Sequence, residues 1–267
     1  AFYWCDNLSQ IELPAALKTI GGSAFDSSGL MECGLPQNVT TIGAKAFAYS
    51  KLQSCTIPES VSTIGDAAFT GTKLTVIDIP SSVTNGGVGI FRGCKSLKKV
   101  TIACPRTFDD MFENCTGLVD VILTDNVKTI GSGTFRGCES LAGIEIPDST
   151  TRIEGKAQDG SYRSGAFSYC SNLVSVTIPE SMTYIGSLTF CDCTSLTSIT
   201  IPASVKTVED AFEGCSNLKT VYFEGDECLN ILYSTFEGVS ATAYYPTKYA
   251  TYWEFSIGKD WGGSIKW

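Results

Sequence analysis

A phenylalanine returns along this chain with the regularity of a lattice: Phe2, Phe25, Phe47, Phe69, Phe91, Phe112, Phe135, Phe167, Phe190, Phe212 and Phe236, at spacings of 23, 22, 22, 22, 21, 23, 32, 23, 22 and 24. An ordinary globular core has no use for so fixed a pitch. A stack of like units does, because each unit then lays the same residue over its neighbour. A second marker keeps step at Leu13, Leu35, Ile57, Ile79, Ile102, Leu123, Ile146, Ile178, Ile201 and Phe223, and proline follows it in the cleaner copies, as in Ile57-Pro58 and Ile201-Pro202. The consensus reads A-F-x-x-C-x-x-L-x-x-V-x-I-P-x-S-V-x-x-I-G, and the stretch from Phe167 to Gly186 shows most of it.

One unit explains why it must stack. L-x-x-V-x-I alternates with period 2, so it reads as a short strand with V and I turned to one side. The proline after it has no N–H for a ladder and stops the strand. The T-I-G-x-x-A-F segment sets two large apolar groups beside a glycine, read as permitting a tight bend. About 22 residues cannot bury such a face alone, but stacked copies can. The predicted fold class is an α/β-type repeat solenoid of the leucine-rich kind. It is strand-dominated, with one parallel sheet along the concave side, short helical or irregular segments on the convex side, and the phenylalanines as an internal spine. Ten units at roughly 4.8 Å per strand give a rod of about 48 Å.

The repeated wording resembles the BspA-like leucine-rich repeat proteins over about residues 1 to 240. That resemblance implies a cell-surface or secreted protein of bacteria or some mucosal protists, associated with adhesion to host matrix proteins and other cells. It supplies no catalytic residues and names no ligand. Several stretches depart from the pattern. After Ile102, Ala103-Cys104-Pro105 replaces the proline step, and Thr124 follows Leu123. Between Ile146 and Ile178 the spacing grows to 32, an insertion placed at 154–163. The predicted division is a solenoid over 1–238 and an aromatic-rich C-terminal cap over 239–267. Residue 1 falls inside a repeat, which reads as a chain beginning after a removed or omitted segment.

Composition narrows the chemistry. With no histidine among 267 residues, Ser-His-Asp, Cys-His and HExxH sites are excluded. The net charge of −9 repels phosphate, so nucleic acid and anionic membrane surfaces are not expected partners. No apolar run reaches the roughly 18 residues a membrane span needs. Of the 12 cysteines, Cys5, Cys94, Cys115, Cys138, Cys170, Cys193 and Cys215 sit three residues after the repeat phenylalanine, where other units place Ser28, Ser50 and Thr72. That is a small, semi-buried packing slot; side chains stacked about 5 Å apart are poorly placed for disulfides, so free thiols are expected. Cys33 and Cys55 take the inward V slot. No metal site or cofactor is expected: the chain has no Cys-x-x-Cys pair, Asp109-Asp110 and Asp226-Glu227 lack the spaced calcium-ligand pattern and read as solvated acidic turns, and Gly86-Gly87-Val88-Gly89 lacks the lysine of a phosphate loop.

Three surfaces are left as binding candidates. The first is the outward stripe between V and I, running Glu12, Gly34, Thr56, Asp78, Thr101, Ile122, Glu145, Thr177, Thr200 and Tyr222, small and hydroxyl-rich with bulk only at Ile122 and Tyr222. Threonine is also simply a good exposed strand residue. The second is the insertion, which offers Lys156, Asp159, Tyr162 and Arg163 on a loop held by a rigid scaffold. The third is the tail with Tyr244, Tyr245, Tyr249, Tyr252, Trp253, Phe255, Trp261 and Trp267, read first as a cap over the open core and second as a sugar-stacking platform. The expectation is a non-enzymatic, surface-exposed interaction scaffold binding host or other-cell proteins or matrix in the manner of an adhesin. A glycan-binding surface module and a passive spacer of a longer surface protein are the alternatives. A monomer is expected, with end-to-end association through Phe2, Leu8, Ile11 and Leu13 if the first repeat stands uncapped.

Overall fold

The computed structural model of the chain describes residues 1–156, 164–225, 230–231, 234–253 and 262–266. It is a strand-dominated parallel solenoid in which most units contribute two short strands. The L-x-x-V-x-I segments form one row, among them Glu32–Gly34, Ser54–Thr56, Val76–Ile79, Lys99–Ile102, Asp120–Leu123, Gly143–Glu145, Ser175–Thr177, Ser198–Ile201 and Thr220–Phe223. Neighbours that pair do so in parallel and in unit register, as in Ile77↔Val100 and Val100↔Val121. The row continues into Ser240–Tyr244, which pairs with Thr220–Phe223, and then into Ser264–Lys266.

The α/β-type expectation, with one sheet and helical or irregular convex segments, is corrected here: the convex arcs are irregular rather than helical, and the strands form two rows. The T-I-G segments make a second parallel row: Thr19–Ile20, Thr41–Ile42, Thr63–Ile64 and Asn85–Gly86, then Thr129–Ile130, Arg152–Ile153, Tyr184–Ile185, Thr207–Val208 and Asn230–Ile231. Among the described residues, helix occurs only at Thr247–Tyr249 and Ala250–Trp253, in the tail. The arcs carrying the phenylalanines stay non-helical because their main-chain donors turn to the next unit. Phe47 N–H donates to the Ala68 carbonyl at 2.7 Å, Phe69 to Ile90 at 2.8 Å and Phe91 to Met111 at 2.8 Å. Satisfied across the stack, these groups have no call on an i−4 carbonyl.

The arcs also need left-handed backbone on both sides of the phenylalanine. Two residues before it stand Lys45 (φ 56°), Ala67 (53°), Asp110 (53°) and Leu188 (58°); two residues after it stand Tyr49 (54°), Asn114 (58°), Tyr169 (61°) and Asp192 (56°). Glycine takes the same place in other units, as at Gly71 and Gly137.

The phenylalanine spine is continuous. Consecutive rings from Phe2 to Phe236 lie between 5.1 Å (Phe69–Phe91) and 5.7 Å (Phe112–Phe135) apart, tilted by no more than 14° (Phe135–Phe167). That spacing exceeds van der Waals contact of facing rings, so the rings are offset, the favoured parallel arrangement. The glycine of T-I-G serves a different need from the predicted bend. A Cβ on Gly43 would lie 2.6 Å from Gly22 N, and one on Gly65 would lie 2.4 Å from Ala44 N. It is the close approach of two backbones that excludes a side chain there.

The cysteine slot is built into the stack. Cys94 Sγ donates to the Phe69 carbonyl (3.1 Å), Cys115 to Phe91 (3.1 Å), Cys138 to Phe112 (3.3 Å), Cys170 to Phe135 (3.1 Å), Cys193 to Phe167 (3.2 Å) and Cys215 to Phe190 (3.0 Å). Each thiol thus ties its unit to the one before. These cysteines are free and buried, and burial pushes Cys170 and Cys215 up to about 12. Serines of P-x-S-V make a parallel tie, with Ser60 Oγ to the Val39 carbonyl and Ser82 Oγ to the Val61 carbonyl, both at 2.7 Å.

Candidate functional site

The long-strand row presents two outward columns, since alternate residues of each strand face solvent. One column is the predicted stripe. Asp78, Thr101 and Ile122 stand in register, as do Glu145 with Thr177, and Thr200 with Tyr222. Glu12, Gly34, Thr56, Asp78, Ile122, Glu145, Thr177, Thr200 and Tyr222 are exposed, and Thr101 is half-buried. The other column, two residues earlier, holds Val76, Lys99 and Asp120, then Ser198, Thr220 and Thr242. Lys99 and Asp120 form an ion pair at 2.7 Å across that register. The same period-2 alternation that gives the first column supplies the second.

Between the strands Asp120–Leu123 and Gly143–Glu145, which lie side by side without ladder pairing, the face opens into a groove. Asp120, Asp125, Glu145 and Asp148 line it, with Ile122, Pro147 and Pro179 as apolar surface. Ile122 is 40 % exposed, a large aliphatic group in a groove that these carboxylates also line. Asp125, next after the Thr124 departure from the proline step, is part of the lining.

The insertion grows from an antiparallel pair, Gly155–Lys156 with Ser164–Gly165. Asp159, Tyr162 and Arg163 lie outside the described residues, as does the Lys156 side chain. The base is described, and it meets the other irregular stretch of the chain. Arg106 pairs with Glu154 at 3.1 Å, and Ser164 Oγ donates to Asp110 at 3.1 Å. Asp110 pairs with Arg92 at 2.9 Å, and Glu113 is held by both Arg92 and Arg136. Asp110 is buried, so the reading of Asp109-Asp110 as a solvated turn fails at its second residue. Burial and the neighbouring Glu113 raise the Asp110 carboxyl above its ordinary value, against the pull of Arg92. Asp226-Glu227 lies outside the described residues. In the same stretch Phe108 lies against Gly86, where an added Cβ would be 2.2 Å from its ring. The ring fills the volume that isoleucine fills at this strand position in the preceding units.

The aromatic tail divides. Trp253 is fully buried, 4.8 Å from Phe223 and 5.9 Å from Tyr245, with its indole N–H donating to the Gly225 carbonyl at 3.2 Å. It cannot stack on a sugar. Tyr244, by contrast, stands in register with Tyr222 on the outward face, the rings 5.3 Å apart. Trp261 and Trp267 lie outside the described residues. At the N-terminal end Phe2 is 36 % exposed, while Leu8, Ile11 and Leu13 are half-buried against the core. Among the described residues, no three His, Cys, Asp or Glu side chains are grouped to hold a metal, and no helix is long and apolar enough to cross a membrane.

A parallel strand row of this pitch, with a phenylalanine spine behind it, defines a leucine-rich repeat solenoid. The chain belongs to the BspA type leucine rich repeat region family, which it matches in six copies over residues 1–108 and 107–236. It is similar to a leucine rich cell surface protein from Faecalibacterium prausnitzii A2-165, at 24 % identity and a TM-score of 0.52, covering 94 % of this chain and 77 % of that one. It is also similar to the leucine rich repeat protein of T. pallidum, at 26 % identity and a TM-score of 0.52, covering 80 % of this chain and 96 % of that one. No curated protein matches the chain.

Proposed function

We propose that this chain is a non-enzymatic interaction scaffold displayed outside the cell, binding host or other-cell proteins in the manner of an adhesin. The observation that carries the reading is the groove at Ile122. An exposed aliphatic side chain in a groove lined by Asp125, Glu145 and Asp148, with Asp120 beside it paired to Lys99, has the make-up of a small interface of apolar and acidic groups. The carboxylates select a partner segment with basic residues around an apolar anchor. The strands beneath are fixed by their neighbours, so little ordering entropy is lost on binding. Membership in a repeat family with a described cell-surface relative supports the location.

In this reading the insertion at 154–163 is an accessory contact, and residues 239–267 act as a cap whose buried Trp253 closes the core. The test is binding of the purified chain to a panel of immobilised host matrix proteins, beside a variant lacking 154–163. Saturable binding that survives the deletion supports the strand face. Binding lost with the loop moves the contact to the insertion, and no binding across the panel contradicts the adhesin reading.

A further inference from the structure

The C-terminal end of the strand face carries a second feature, independent of the Ile122 groove. Tyr222 and Tyr244 project from adjacent strands, 45 % and 51 % exposed, and stack on each other at 5.3 Å. On its other side Tyr222 stands in register with Thr200, and Ser198 and Thr220 are the small partners in the next column. The step from threonine to tyrosine leaves one tyrosine face overlooking a low, hydroxyl-bearing floor. Thr200, Tyr222, Tyr244, Glu224 and Lys248 line one recess. Burial and the nearby Glu180 raise the Glu224 carboxyl above its ordinary value.

An aromatic wall, a hydroxyl floor and the charged pair of Glu224 and Lys248 select for a ligand with an apolar flat face and hydroxyls around its edge. A peptide side chain offers one or the other, whereas a pyranose ring offers both. Its C–H face packs on an aromatic ring, and its hydroxyls donate to carboxylates and exchange hydrogen bonds with threonine. Glu224 and Lys248 give the recess one carboxylate and one ammonium, so it carries no net charge and suits an uncharged ligand. We infer that the recess beside Tyr222 is a binding site for a neutral sugar, with Tyr222 as the stacking wall and Glu224, Lys248 and Thr200 as hydroxyl partners. It differs from the predicted glycan platform, because Trp253 is buried in the core.

The experiment is isothermal titration of the full chain with four neutral oligosaccharides built from glucose, galactose, mannose and N-acetylglucosamine. Three variants are run beside it: Tyr222→Ala, Tyr222→Phe and Thr200→Tyr. The expected result is saturable binding to at least one sugar, weakened at least tenfold in Tyr222→Ala and kept within about threefold in Tyr222→Phe, since stacking needs the ring and not its hydroxyl. Thr200→Tyr extends the exposed ladder, which sheets accept, and fills the floor; it abolishes sugar binding with the melting temperature unchanged. No saturable binding to any of the four sugars overturns the inference, as does binding that tolerates both Tyr222→Ala and Thr200→Tyr. Capture of matrix proteins through the Ile122 groove is read separately and stands or falls without it.

Discussion

If the phenylalanine spine holds the stack together, the cost of cutting it depends on where along the rod it is cut. Phe112 is fully buried and stacks on both sides, at 5.3 Å to Phe91 and 5.7 Å to Phe135. Phe2 is 36 % exposed and stacks on one side only, at 5.4 Å to Phe25. Truncating a buried phenylalanine to alanine costs about 3–5 kcal/mol through lost transfer energy and the cavity left behind. Phe112→Ala falls in that range, because rings held from above and below cannot collapse into the gap. Phe2→Ala keeps part of its surface in water before and after, and loses one stack worth about 0.5–1.5 kcal/mol, so it costs about 1–2 kcal/mol. Urea unfolding followed by far-ultraviolet circular dichroism reads both midpoints. A drop in slope for Phe112→Ala marks decoupling of the two halves, since each unit touches only its neighbours. Equal losses for the two variants would refute the claim that the spine works by two-sided stacking.

Other parts of the scaffold make separate predictions. Gly65→Ala forces a Cβ to within 2.4 Å of the Ala44 backbone nitrogen and costs about 1–3 kcal/mol. Gly34→Ala meets nothing within 4 Å and stays within about 0.5 kcal/mol of the parent in the same urea assay. Glu113→Ala leaves Arg92 and Arg136 without their shared carboxylate. Both arginines are partly exposed, so the loss is about 2 kcal/mol, below that of a fully buried pair, and a change under about 0.5 kcal/mol would contradict it. Cys170 and Cys215 carry folded-state values raised from 9.0 to about 12 by burial. Their stabilisation is complete below pH 9 and is lost as pH rises toward 12, because the unfolded thiols ionise first. Each thiol steepens that decline by about 1.4 kcal/mol per pH unit. Cys170→Ser/Cys215→Ser flattens the fall in urea midpoint between pH 8 and 10.5, and parallel pH profiles for variant and parent would contradict the burial argument.

The period carried the fold into view. Residues that repeat at fixed pitch must superpose, so the spine, the long-strand row and the outward stripe could all be read from spacing alone. The second strand row escaped because two-residue segments such as Thr63–Ile64 show no alternation to recognise. The arcs were left open between helical and irregular because nothing in A-F-x-x-C announces that its N–H groups bond to the next unit. T-I-G looked like a bend, yet the glycine answers to a backbone one unit away, a neighbour that local reading does not contain. The Ile122 groove was half legible: Ile122 stood out by its bulk, but its rim draws on Asp125 and Asp148, which follow the strands and never enter the stripe. The ion cluster joining Arg92, Asp110, Glu113 and Ser164 was beyond reach, since Ser164 reaches Asp110 across 54 residues.

The central claim is that the strand face binds a protein through the groove at Ile122. The most direct test is the equilibrium affinity of Ile122→Arg for whichever matrix protein the parent chain captures, measured beside Val88→Arg. Val88 is 45 % exposed and lines a different recess, with Arg106 and Phe108. A charge set at the centre of the interface weakens binding at least tenfold, about 1.4 kcal/mol, while the control binds as the parent does. Unchanged affinity for Ile122→Arg, with loss in Val88→Arg, would place the contact on another face and contradict the account.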